Sequence, residues 1–107
     1  MPGAMLQIPA DHASFAGHFP GHPILPGVVL LAEVLEILLA DAGAARLLGP
    51  APRLGAAKFL APVGPGARLR VEWQEAAGRL RFEVLRLDET AATPAASGHF
   101  EAGDPGR

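Results

Sequence analysis

At 107 residues the chain has the length of one domain built on a single hydrophobic core. A net charge of −2 leaves no basic footprint for nucleic acid, and the absence of cysteine excludes a disulfide framework, a thiol nucleophile and a cysteine-ligated metal. Half of the residues are hydrophobic, the upper end for a globular chain, which predicts surface buried against another subunit.

The start, Met1-Pro2-Gly3-Ala4-Met5, lacks a positively charged region and a long apolar run, so no secretory leader is expected and the cytoplasm is the default location. Ala4 to Ile8 reads as a short strand stopped by Pro9, and Asp11 to Ala16 leads into a loop with His12 in a solvated approach. The loop runs from Gly17 to Gly27. Pro20, Pro23 and Pro26 fix φ and push the residues before them towards extended geometry, so it has few conformations to lose on folding.

Pro26-Gly27 opens a helix of about four turns, with no further breaker until Gly43. Val28 to Ala40 is apolar nearly all round, interrupted only by Glu33 and Glu36, which predicts a helix buried at the centre of its fold. It is too short and too charged to span a bilayer. Gly43 and then Gly49-Pro50-Ala51-Pro52 are expected to end it and turn the chain.

Arg53 to Ala61 reads as a strand in which Gly55, Ala56 and Ala57 would let the sheet approach the helix closely. Pro62 to Gly66 is a turn cluster. Ala67 to Gln74 alternates cleanly, with Leu69, Val71 and Trp73 on one face, as a half-buried antiparallel strand does. Glu75 to Gly78 is a hairpin turn and Arg79 to Leu87 the return strand. Its phase switches between Val84 and Leu85, which predicts a bulge or a second packed face. Asp88 to Pro94 reads as a loop, Ala95 to Ala102 as a last weak strand, and 103–107 as a frayed tail on a single domain with its core at about 4–102. Strand, loop, long helix and three or four antiparallel strands make an α+β fold around one helix.

The chemistry concentrates where the loop meets the helix. An imidazole moves protons near neutral pH, and a helix N-terminus offers unpaired N–H donors to a carbonyl or an anion. His18 is the leading candidate for proton transfer, with Phe19 and the prolines holding it at a set angle. The bland alternative is a histidine bonded to a loop carbonyl. His22 is expected at the rim, and no third ligand of suitable spacing accompanies the two histidines, so no metal is expected.

The stretch Phe15-Ala16-Gly17-His18-Phe19-Pro20-Gly21-His22-Pro23-Ile24-Leu25-Pro26-Gly27-Val28 resembles the signature of the 3-hydroxyacyl-(acyl carrier protein) dehydratases. Lys58-Phe59-Leu60-Ala61-Pro62-Val63-Gly64-Pro65-Gly66-Ala67-Arg68-Leu69 resembles the strand-turn-strand that follows the helix in that family, and the likeness covers most of residues 4 to 102. The resemblance implies a hotdog fold, an antiparallel sheet wrapped around the helix. It also implies that His18 takes the proton from C2 of a 3-hydroxyacyl thioester, and that the backbone at Gly27 stabilises the enolate-like charge. Phe19, Pro26, Val28 and Ala32 would line the substrate. The acyl group would arrive on the phosphopantetheine of an acyl carrier protein or on CoA, with no other cofactor. Dimers are implied, of two copies or with a related chain, or a larger oligomer.

One position departs from the pattern. The family's helix carries a carboxylate five residues after the glycine of the Pro-Gly pair, to protonate the leaving hydroxyl, and here that place is Ala32. Glu33 is rotated by about 100° from it, whereas Glu36 lies one turn on along the same face and is the better stand-in. The bland reading makes both a polar seam, paired to arginine or exposed. The expectation is a dehydratase-like protein acting on acyl thioesters in fatty-acid or polyketide-like synthesis. The alternatives are a non-catalytic thioester-binding module, one half of a mixed dehydratase dimer whose partner supplies the acid, or a hotdog thioesterase. Arg46, Arg53, Lys58, Arg68 and Arg70 are scattered and expected as solvated surface charge.

Overall fold

The computed structural model describes residues 2–12 and 24–104. Five strands and two helices follow in the order β1 (Gly3–Gln7), α1 (Gly27–Ala40), α2 (Ala42–Leu48), β2 (Pro52–Phe59), β3 (Arg68–Ala76), β4 (Arg79–Leu87) and β5 (Ala92–Ala102). The strands form one antiparallel sheet in the order β1-β3-β4-β5-β2, so β1 and β2 are its edges. The α+β hotdog architecture expected from the sequence is the one observed.

Alternation sets the sheet's two faces. Leu69, Val71 and Trp73 of β3, Leu80, Phe82 and Val84 of β4, and Ala96 and Phe100 of β5 point inward and are buried. The rings of Phe82 and Phe100 meet at 5.4 Å between centroids. The outer face is polar and laced by ion pairs, with Arg70 to Glu72 at 2.7 Å and Glu101 shared between Arg53 at 3.1 Å and Arg79 at 3.7 Å. Arg53 and Arg70, two of the five basic residues expected as solvated surface charge, are therefore in ion pairs.

The β3–β4 hairpin closes tighter than the four residues expected. Glu75 and Ala76 stay in the ladder, opposite Leu80 and Arg79, which leaves Ala77 and Gly78 as a two-residue loop. Both have positive φ, 55° and 77°, the twist that suits a tight hairpin. The phase switch at Val84/Leu85 is a register shift against β5, the expected bulge. Beyond it β5 begins at Ala92, inside the stretch expected to be loop, and runs for 11 residues.

Two expectations about the helical region need correction. Helix α1 is not buried all round. Leu30, Val34 and Leu38, at i, i+4 and i+8, enter the core, while Val28, Ala32, Glu36 and Leu39 lie on an exposed face. Val28 is 75% exposed. The apolar residues on that face have no cover within the described chain. Secondly, Gly43 does not stop the helical region. Asp41 takes an extended conformation that ends α1, and its side chain accepts from the Ala44 N–H at 2.9 Å to start α2. Ala44 and Leu48 of this second helix join the core.

The small residues of β2 serve a different approach from the one expected. At Gly55 the His99 ring of β5 occupies the place a side chain would take, and the β2–β5 register shifts between Leu54 and Ala56. The close contact is strand to strand.

Candidate functional site

Helix α1 begins without a side-chain cap, because Pro26 has no side-chain acceptor to offer. Pro26 sits at φ −59° and ψ 143°, and its carbonyl receives the Val29 and Leu30 N–H groups at 3.0 and 3.1 Å. The Gly27 and Val28 N–H groups have no acceptor among the described residues. Two donors thus point out of the helix end, where its dipole also favours negative charge.

The helix start borders an apolar cleft of about 430 Å³, which Gly27 lines. Ile24, Gly27 and Leu30 form one wall; Phe59, Leu60 and Val63 form the other. The walls are tied by Leu25 N–H to the Val63 carbonyl at 2.7 Å, and Leu60 N–H anchors the second wall to the Ala95 carbonyl of β5 at 2.8 Å. Arg86 fixes the far rim by donating to the Pro62 carbonyl at 2.7 Å. The Phe59 ring lies directly on Gly27, and a Cβ there would fall 2.6 to 2.9 Å from three ring carbons. Only glycine lets an aromatic ring sit this close to the first turn.

Of the residues singled out from the sequence, Pro26, Gly27 and Val28 meet at this helix end. Ala32 and Glu36 follow at one-turn intervals on the exposed face, as helical spacing requires. Leu30, Val34 and Leu38 point about 200° away into the core, so nothing from the sheet covers position 32. His18, Phe19 and His22 lie outside the described residues. His12 is not simply solvated: its Nε2 stands 3.9 Å from Glu33 Oε1, so the polar partner of Glu33 is a histidine rather than an arginine. Among the described residues no cluster of three metal-ligating side chains occurs, and no helix is long and apolar enough to cross a membrane.

Sequence reasoning missed the cleft wall from β2 and the turn after it. Phe59 carried a signal, the one aromatic residue of its strand, at the strand's end after Gly55, Ala56, Ala57 and Lys58. Its partner glycine stands 32 positions earlier, and only the fold joins them.

An antiparallel sheet packed on one long helix, with an apolar cleft at the helix start, is the architecture of a hotdog fold. The chain belongs to the ApeI-like dehydratase family, whose model, described as ApeI dehydratase, matches residues 3–99. It is 32% identical over 103 residues to the 3-hydroxyacyl-(acyl-carrier-protein) dehydratase FabZ of Koribacter versatilis, an alignment covering 82% of this chain and 63% of that protein. In general the chain spans about half the length of the curated relatives it matches.

Two solved structures share the fold along most of the chain. An uncharacterized protein from Erwinia carotovora subsp. atroseptica superposes with a TM-score of 0.74 at 30% identity, covering 92% of this chain and 79% of that one. A chain of the dehydratase heterocomplex ApeI:P from Xenorhabdus doucetiae gives a TM-score of 0.64 at 28% identity, covering 92% and 85%.

Proposed function

We propose that this chain is one half of a 3-hydroxyacyl-thioester dehydratase, contributing the base and the oxyanion donors while a related chain contributes the acid. In this reading the thioester carbonyl sits against the Gly27 and Val28 N–H groups. His18 removes a proton from C2, and the charge that builds on the carbonyl oxygen is held by the two donors. An acid then protonates the C3 hydroxyl as its bond to carbon breaks, water departs and the double bond forms between C2 and C3. The acyl chain lies along the apolar wall of Leu30, Phe59 and Leu60, with Phe19, Pro26, Val28 and Ala32 lining its path. The substrate is carried on the phosphopantetheine of an acyl carrier protein or on CoA, with no metal or other cofactor, in a cytoplasmic setting.

One observation carries the reading. Position 32 stands one turn in from the donors, on a helix face that its own sheet leaves open, and it holds a methyl group where the chemistry needs a proton. Family membership and a relative found in a dehydratase heterocomplex support a second chain as the source of that proton. Glu36, exposed on the same face one turn further, is the internal alternative if the chain acts by itself.

The test is dehydration of a 3-hydroxyacyl thioester by the purified chain beside Ala32→Asp. An inert parent with an active Ala32→Asp variant, whose activity His18→Ala abolishes, supports the reading. Turnover by the parent that Glu36→Gln abolishes makes the chain self-sufficient and overturns the mixed pair. An inert Ala32→Asp that still binds the thioester points to a non-catalytic binding module.

A further inference from the structure

Segment 60–67, between β2 and β3, makes one backbone bond within itself among the described residues, Ala67 N–H to the Gly64 carbonyl at 3.3 Å. Pro62 and Pro65 have no N–H to donate, so the course of the segment depends on groups from outside it. On β5, Ala95 falls between the residues that pair with Val84 and Leu85, and its carbonyl receives the Leu60 and Ala61 N–H groups at 2.8 and 3.3 Å. From β4, Arg86 donates Nη1 to the Pro62 carbonyl at 2.7 Å. Arg86 stands opposite Leu69 and Thr93, in phase with the buried Leu80, Phe82 and Val84. The alternation of β4 thus sends a guanidinium to the end of the core face, where Pro62 meets it.

Two further bonds show what the segment carries. The Ile8 N–H donates to the Ala67 carbonyl at 2.9 Å, and the Leu25 N–H donates to the Val63 carbonyl at 2.7 Å. Ile8 and Leu25 flank the stretch of chain that contains His18, so both ends of that stretch are held four residues apart on one segment. The same segment supplies Leu60, Ala61, Pro62 and Val63 to the cleft. Whatever fixes it therefore fixes the cleft wall and both chain ends together.

We propose that Arg86 is a positioning residue, whose bond to Pro62 holds segment 60–67 so that Leu25, Ile8 and the cleft wall keep their places. The effect of that placement on turnover rests on the dehydratase reading above, since His18 lies between the two ends and Gly27 follows Leu25 by two residues. A displacement of about 1 Å at such a site costs up to about a hundredfold in rate.

The test compares the chain with Arg86→Met and Arg86→Leu, which both remove the donors, so that one failing to fold leaves the other. Arg86→Lys keeps a cationic donor and is the rescue variant. Native-state amide hydrogen exchange is read at Leu25 and Ile8, with Leu38 inside α1 and Val71 inside β3 as references for global opening. The Met and Leu variants are expected to exchange Leu25 and Ile8 about tenfold faster while the references keep their rates, and Arg86→Lys to restore most of the protection. In the Ala32→Asp background, the same two changes are expected to lower kcat for a 3-hydroxyacyl thioester by about tenfold with KM within about twofold, again restored by lysine. A merely structural role would lower the folded fraction and leave the turnover of the folded protein unchanged. Exchange at Leu25 that stays as in the parent, or that rises equally at the references, would overturn the proposal. Faster exchange at Leu25 beside an inert Ala32→Asp leaves Arg86 in its place and removes the dehydratase reading. An active Ala32→Asp whose kcat is untouched by Arg86→Met and Arg86→Leu removes the positioning role alone.

Discussion

The ring of Phe59 rests on the Cα of Gly27, so the end of β2 closes over the first turn of α1. The two residues meet at the helix start, where Gly27 lines the cleft and the Gly27 and Val28 N–H groups have no acceptor among the described residues. A methyl group at position 27 must therefore displace the ring. Because Phe59 is half-exposed, the ring has somewhere to go, and the expected loss is modest, about 1 kcal/mol. Removing the ring first removes the clash. In urea denaturation Gly27→Ala is expected to destabilise the parent but not Phe59→Ala, with a coupling of at least about 0.5 kcal/mol. Additive effects would mean that the contact has no energetic weight.

The one-sided burial of α1 predicts a sharp contrast between neighbours. Leu38 is wholly buried among the core residues, and Leu38→Ala is expected to cost about 2–5 kcal/mol. Leu39, the next residue, is 40% exposed, so Leu39→Ala is expected to cost about 1 kcal/mol or less in the isolated chain. Both are read by denaturant midpoints at one low protein concentration. A helix enclosed on all sides would give similar losses at the two positions.

Asp41 separates the two helices by serving both, closing α1 with its N–H to the Leu38 carbonyl at 3.1 Å and capping α2 through its carboxylate. Asp41→Ala is expected to cost about 0.5–2 kcal/mol and Asp41→Asn much less, since an amide oxygen also accepts from the Ala44 N–H. Thermal melts of the three proteins check this order.

Most of the sheet was legible from alternation. Leu69, Val71 and Trp73 gave β3 its face, and the change of phase after Val84 gave the bulge. Helix α1 was legible as a helix but not in its burial, because apolar residues on every side look alike whether a face meets its own sheet or is left open for another surface. Helix α2 was hidden by Gly43. Its start depended on Asp41 accepting from a residue three positions on, a signal available in the sequence but outweighed by the glycine. In the site, Gly27 and Ala32 could be placed by counting along one helix. The cleft wall at Phe59 could not, since contact between residues 27 and 59 is a property of the fold and leaves no local pattern.

Ala32 links the chemistry to assembly in one measurement. Ala32→Asp supplies a proton donor, but in the dehydratase reading His18 and that donor belong to different subunits, so activity needs two chains together. The specific activity of Ala32→Asp is expected to rise with protein concentration to a plateau, with a midpoint that matches self-association read by sedimentation velocity. A specific activity that stays constant across the range in which sedimentation shows the chains separating would mean that one chain holds both groups.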